Sequence, residues 1–212
     1  MARVKKEKVE IDKLKFEKEE LEKGHFFIAG VDEVGRGPLA GPVCVCAVIM
    51  PLDDIVEGID DSKKISEKKR NEFAKIIKEK AVCYSVQMID ERTIDEINIL
   101  EATKLCMKKA IEGLKITPDI VLVDAISKLD VLVPIRGIIK GDLLSYSIGC
   151  ASILAKVERD NYMVELSKEY PEYGFEKHKG YGTKAHIEKI KEIGYTKHHR
   201  LSFLKFLNDV EK

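Results

Sequence analysis

The sequence has no excess of charge of either sign: Lys plus Arg and Asp plus Glu both total 37 in 212 residues. That balance excludes a uniformly basic nucleic-acid coat, so any site for a polyanion must come from local clustering. No apolar run is long enough to cross a bilayer, and the N-terminus is too charged for a secretory signal. Cysteine is sparse and shows no pairing pattern. Cys44, Cys46, Cys83, Cys106 and Cys150 form neither Cys-x-x-Cys nor a Cys/His ligand spacing. They read as reduced core thiols of a cytoplasmic protein. With 14 Gly and six Pro against 44% hydrophobic residues, collagen-like and wholly disordered chains are excluded. The length suits one domain with a small appendage, able to fold without metal or disulfide.

Residues 1–23 carry eight Lys or Arg against seven Asp or Glu. Val4, Ile11, Leu14 and Leu21 recur at heptad-like spacing, which predicts a thin amphipathic helix with solvated charged faces, stopped by Gly24. Strand-like runs follow at 26–34 and 42–50, and the short Gly- and Pro-bearing break between them favours an antiparallel hairpin. Ser66 can cap a helix to about Lys80, and 81–89 reads as a third strand. Ile97, Leu100, Met107, Ile111 and Leu114 trace one helical face. Residues 119–125 are continuously apolar, as in a strand covered on both faces. Residues 131–139 form a fifth strand, where Pro134 indicates an edge. A long helix runs from Leu143 to about Glu169, with Pro171 closing it. Helices at Thr183–Ile193 and Leu201–Val210 complete the chain. The expectation is an α/β fold: a five-stranded mixed sheet flanked by helices, with a small C-terminal helical region. In this division, residues 1–24 are a charged N-terminal helical arm, 25–170 the main domain and 171–212 the C-terminal helical region.

Acidic residues at the ends of buried strands are the main chemical signal. Asp32 and Glu33 interrupt an apolar strand, Asp124 ends the fourth strand, and Asp142 opens the long helix. Ligands of open α/β sheets gather at the carboxyl ends of strands, so parallel first and fourth strands would bring these acids together. Carboxylates crowded in a low-dielectric pocket repel. Hard divalent cations relieve that, and oxygen ligands suit Mg²⁺ or Mn²⁺. Each acid also has a plainer explanation: Asp142 as an N-cap and Asp124 as a turn residue. The Asp32–Glu33 pair is harder to dismiss, since buried charges are costly unless compensated. Adjacent strand residues point to opposite faces, so Glu33 joins Asp32 only where the strand twists, bulges or ends, or through its backbone carbonyl as the ligand. Gly35, Gly37 and Ala40 also fit a dinucleotide-binding fingerprint, but that motif must open a helix, and here a strand follows.

A third signal lies near the C-terminus. Lys177 to Arg200 holds seven Lys or Arg and four of the five His, interleaved with Tyr181 and Tyr195. Cationic groups beside aromatic platforms suit nucleic-acid backbones and sugars. A solvated basic helix is the plainer alternative. The segment HKGYGT is Gly-flanked and reads as a loop, where exposed aromatics often carry function.

From GVDEVGRGPLAGPV onward the chain resembles the ribonuclease HII (type 2 ribonuclease H) family. The likeness continues through DSKKISEKKR, EINILEATKLCMKKA, IVLVDA, IIKGDLLSYSIGCASILAKVERD, YGFEKHKGYGTKAH and HHRLSF, about residues 27–203. The resemblance implies a ribonuclease H-like sheet and a carboxylate tetrad of Asp32, Glu33, Asp124 and Asp142 holding two Mg²⁺ or Mn²⁺ ions. Asp32 would bridge the ions, Glu33 and Asp124 complete their shells, and Asp142 hold the second ion or orient water. It implies that Gly35, Arg36 and Gly37 read the ribonucleotide 2′-hydroxyl through the main chain, and that Tyr181 contacts that hydroxyl and stacks on the following deoxyribose. Lys63, Lys64, Arg159 and Lys184 would contact phosphates, although Arg159 can equally pair with Asp160. The implied substrates are RNA–DNA hybrids and ribonucleotide-containing duplex DNA, cleaved by a monomer without membrane attachment. Two rivals remain open. A related nuclease, such as a type III hybrid nuclease or a junction resolvase, would share the acids but not the preference for an isolated ribonucleotide. A non-catalytic binding module would need no divalent ion.

Overall fold

The computed structural model describes residues 12–59, 65–126 and 128–205. Five strands form one sheet: β1 (Ile28–Val34), β2 (Val43–Ile49), β3 (Cys83–Ile89), β4 (Ile120–Asp124) and β5 (Ile135–Ile138), in the order β3-β2-β1-β4-β5. β1, β2 and β3 are an antiparallel meander, whereas β4 and β5 run parallel to β1. This is the expected mixed α/β sheet, with β5, which follows Pro134, at its edge.

Both faces of the sheet are covered, which is why β2 and β4 are apolar without alternation. On one face Val31, Val45, Ala47 and Val123 pack with Cys106, Met107 and Ala110 of α4 (Ile99–Glu112). On the other, Cys44, Cys46 and Val48 meet Ile153 and Leu154 of α6 (Tyr146–Glu169) and Phe73 and Ile77 of α2 (Glu67–Lys80). All five cysteines are free and buried. Helix α6 approaches β1 closely because Gly30 lacks a side chain: a Cβ there would lie 2.1 Å from the Ser147 carbonyl carbon. That contact brings the first turns of α6 over the end of β1. Among the described residues, no helix is long and apolar enough to cross a membrane.

Several helix boundaries differ from expectation. Asn98, in a left-handed conformation (φ 68°), separates α3 (Glu91–Ile97) from α4 and caps α4 through the Leu100 and Glu101 amides. The long helix does not begin at Leu143. A short α5 (Gly141–Leu144) comes first, and extended Ser145 caps α6 by accepting from the Ile148 amide. Asp142 is therefore no N-cap, since Lys140 holds that position and Asp142 lies inside the first turn of α5. The C-terminal region contains α7 (Phe175–His178) and α8 (Lys184–Ile193), and Thr183 caps α8. The expected last helix is a 3₁₀ turn at Leu201–Phe203, and residues 206–212 lie outside the described residues.

The N-terminal arm requires a correction. Its described part forms α1 (Lys15–Glu22), while Val4 and Ile11 of the heptad pattern lie outside the described residues. The helix docks through acids rather than presenting them all to water: Glu17 and Glu20 are essentially fully buried. Glu17 accepts from the Ser145 hydroxyl at 2.6 Å and the Ser147 amide at 2.9 Å. Glu20 accepts from Arg136 of β5 at 2.6 Å. Burial alone would raise the Glu20 pKa, but hydrogen bonds from Lys23, Arg136 and His25 prevail and lower it to about 2.

Candidate active site

Strand register places two of the acids side by side. Val31 of β1 is the partner of Val123 of β4, so Asp32 and Asp124 are the next residues on adjacent parallel strands. Val31 and Val123 face α4, so the two aspartates face α6. Asp124 Oδ1 accepts from the Gly141 amide at 2.8 Å, which ties the end of β4 to the helix carrying Asp142. Glu33 belongs to the opposite face by alternation. Because β4 stops at Asp124, no strand flanks Glu33 on that side, and its side chain reaches the same cavity. That cavity, of about 220 Å³, is lined by Asp32, Glu33, Val34, Asp124, Asp142, Ser152, Lys156 and Tyr181. Wider grooves exist, such as one of about 570 Å³ beside Val56 and Tyr146, but the smaller cavity gathers the four predicted acids.

The electrostatics of the cavity follow from crowding. Burial and then the neighbouring Glu33 push the Asp32 carboxyl well above its ordinary range, Asp124 adds to the rise, and a hydrogen bond with Ser152 opposes it. Glu33 is also raised, first by burial and with a contribution from Asp124, against the pull of Arg36. Arg36 donates to Glu33 Oε1 at 3.2 Å, while Glu33 Oε2 is buried with no hydrogen-bond partner. An unsatisfied buried carboxylate oxygen among three other acids suits a hard divalent cation. Among the described residues, no three His, Cys, Asp or Glu side chains stand as a preassembled metal site. Glu33 Oε1 is engaged by Arg36.

The Gly35–Gly37 loop faces Tyr181 across the cavity mouth: a Cβ on Gly37 would lie 3.9 Å from Tyr181 Cε1. Tyr181 is 42% exposed, with the Arg159 guanidinium 6.0 Å from its ring centroid. The predicted phosphate role of Arg159 is corrected here. Its side chain is fully buried and donates to the carbonyls of Pro42 at 2.8 Å, Lys179 at 3.0 Å and Ala40 at 3.1 Å. Nor does it pair with Asp160, which Lys156 holds at 2.7 Å. Lys184 opens α8, is highly exposed, and stands 3.7 Å from Glu188. Lys63 and Lys64 lie outside the described residues.

Three participants were not singled out from sequence. Ser152 bonds Asp32, and Lys156 lines the cavity. With Arg159 and Asp160 they stand at i, i+4, i+7 and i+8, a polar stripe along one face of α6 that helical spacing makes visible. Arg200 is the third. It is fully buried and donates to the carbonyls of Gly35 at 2.7 Å, Arg36 at 3.0 Å and Gly41 at 2.6 Å. The two arginines thus hold the loop from beneath, and Gly35 must be glycine: its φ is +91°, and a Cβ would lie 2.2 Å from Arg159 Nε.

Comparisons with known proteins agree with this architecture. The family model described as Ribonuclease HII matches residues 29–206. The Ribonuclease HII of Caldicellulosiruptor saccharolyticus is 57% identical over 201 residues, covering 93% of this chain and 98% of that protein. That of Caldicellulosiruptor bescii is 60% identical over 193 residues, covering 90% and 93%. The crystal structure of the ribonuclease H2 from Pyrococcus horikoshii superposes with a TM-score of 0.71 at 28% identity, covering 88% of this chain and 100% of that one.

Proposed function

The chain belongs to the ribonuclease HII family and is a hydrolytic ribonuclease, and we propose that it cuts the RNA strand of RNA–DNA hybrids and incises duplex DNA 5′ of a single embedded ribonucleotide. The observation that carries this reading is the meeting of Asp32, Glu33, Asp124 and Asp142 in one cavity whose mouth is bounded by Tyr181.

In this reading the four carboxylates hold divalent ions. Mg²⁺ or Mn²⁺ held by Asp32, Glu33, Asp124 and Asp142 would supply charge neutralisation and Lewis acidity for two-metal-ion phosphodiester hydrolysis. The protein's own groups do the rest. Ser152 orients Asp32 by its hydrogen bond, and the Gly141 amide orients Asp124. Lys156 supplies one positive charge at the cavity, suited to a phosphate neighbour. Gly35, Arg36 and Gly37 bring main chain close to the sugar, since glycine at two of three positions removes the side chains that would block approach. Tyr181 offers its exposed ring to the deoxyribose that follows, and the 2′-hydroxyl is the group by which RNA and DNA differ. Lys184, exposed at the start of α8, serves as a phosphate contact outside the cavity, and Lys63 and Lys64 serve as further phosphate contacts. The enzyme works as a cytoplasmic monomer.

The test is a labelled duplex with one ribonucleotide, incubated with Mg²⁺ or with EDTA. The expected product is a single nick 5′ of the ribonucleotide, leaving a 3′-hydroxyl and a 5′-phosphate, formed only with the ion. Equal nicking of an all-DNA duplex, or cleavage confined to long hybrids, would remove the ribonucleotide-incision activity.

A further inference from the structure

Behind Tyr181 lies a set of histidines that the proposed chemistry leaves unused. His186 is fully buried and His199 is 2% exposed. Their Nε2 atoms are 3.1 Å apart. One must carry a proton and the other must not. The surrounding atoms decide which. His186 Nδ1 is 2.9 Å from the Tyr181 carbonyl oxygen, which can only accept, so Nδ1 holds the hydrogen. In a neutral ring Nε2 is then bare and accepts. His199 must therefore donate from Nε2, which leaves its Nδ1 bare. That nitrogen receives the Thr196 amide at 2.9 Å, as the assignment requires.

His178 extends the pattern. Its Nε2 lies 2.8 Å from the Tyr173 carbonyl and must donate, while its Nδ1 accepts from the Gly180 amide at 3.2 Å. Its ring stacks on His186 with centroids 4.4 Å apart, and Phe175 meets both rings edge-on. Main-chain atoms at Gly180 and Tyr181 are thus each held by an imidazole. The same block reaches the glycine loop: Leu39 donates to the Gly180 carbonyl at 2.8 Å, Gly41 donates to the His198 carbonyl at 2.9 Å, and Ala40 pairs with His199.

We infer that His178, His186 and His199 form a neutral relay with fixed tautomers, and that they are positioning residues which hold Tyr181 against the Gly35–Gly37 loop for ribonucleotide selection. The inference rests on the reading of Tyr181 given above. Burial favours uncharged rings, lowering His186 and His199 to about 4. A proton added to His186 would set its Nε2–H against that of His199, and one added to His199 would set its Nδ1–H against the Thr196 amide.

Two measurements test it on the full chain. Long-range ¹H–¹⁵N spectra of the histidine-labelled protein at pH 7 should show His186 protonated at Nδ1, and His178 and His199 at Nε2. A charged ring, or the opposite tautomer at His186, overturns the relay whatever Tyr181 does. The second is a double-mutant cycle read as kcat and KM on the one-ribonucleotide duplex. His186→Leu should lower kcat/KM about tenfold, the scale of one buried hydrogen bond. His186→Asn, whose amide nitrogen takes the place of Nδ1, should recover most of the loss. In a Tyr181→Ala background His186→Leu should add little, whereas a further tenfold loss there would show that His186 does not act through Tyr181. Normal activity of Tyr181→Ala by itself would refute the Tyr181 reading, and the spectra would then judge the relay alone.

Discussion

Among the described residues, Arg159 and Arg200 are the largest fully buried side chains, and each donates to several backbone carbonyls. A planar guanidinium with donors in a fixed fork can satisfy several carbonyls of one loop at once, which a lysine cannot. Burial, then repulsion from Arg159, lowers the Arg200 pKa to about 9, still above neutrality. The buried histidines titrate with the opposite consequence for the charge of this region. His186 and His199 are depressed by burial from 6.5 to about 4. Their contribution to stability is therefore complete above pH 6.5 and is lost as pH falls toward 4, because the unfolded chain takes up protons first. Asp32 and Glu33 are raised and act with the opposite sign, so the comparison must be between proteins in one buffer. The thermal midpoint of His199→Gln should depend less steeply on pH between 6.5 and 5 than that of wild type; an unchanged slope would contradict the neutral pair. None of this was visible in sequence. Four histidines within a basic, aromatic-bearing stretch read as part of a nucleic-acid-binding surface, with a solvated basic helix as the alternative, because sequence shows a residue's charge and not its burial.

At the scale of elements, α1 stabilises the start of α6. Glu17 receives the Ser147 amide and the Ser145 hydroxyl, so a carboxylate sits at the positive end of a 24-residue helix. Replacing it by Ala leaves those buried donors unpaired and should cost about 1–3 kcal/mol in urea unfolding. Glu17→Gln, which keeps an acceptor oxygen, should cost less. Equal loss in both would show that the charge, rather than the hydrogen bonds, matters. The sequence pattern of α1 was read through its sparse apolar residues, and the docking acids escaped because their partners lie 116 to 130 positions away. Ser66, by contrast, was legible as a cap since its bond reaches only three residues along the chain. The breaks at Asn98 and Ser145 were missed for a related reason: apolar periodicity runs on across both.

For the molecule as a whole, sheet order determines where chemistry can occur. The hairpin of β1 and β2 was legible from a short Gly–Pro break, and the continuous apolar runs of β2 and β4 foretold cover on both faces. The parallel pairing of β1 with β4 was inferred only conditionally, yet it is what makes Asp32 and Asp124 neighbours. The placement of Glu33 depended on where β4 ends, which no local pattern shows. The account's central claim is that these acids work as a unit to bind divalent ions for phosphodiester hydrolysis. The most direct measurement is the turnover of Asp124→Asn on a one-ribonucleotide duplex at saturating Mg²⁺. Asparagine preserves the shape and the bond from Gly141 while removing the charge. Changes one shell out from a metal cost about 10–100-fold, so loss of a ligand should cost at least about a hundredfold. Turnover within about threefold of wild type, well short of that range, would mean that Asp124 binds no catalytic ion and that the carboxylates are not a single site.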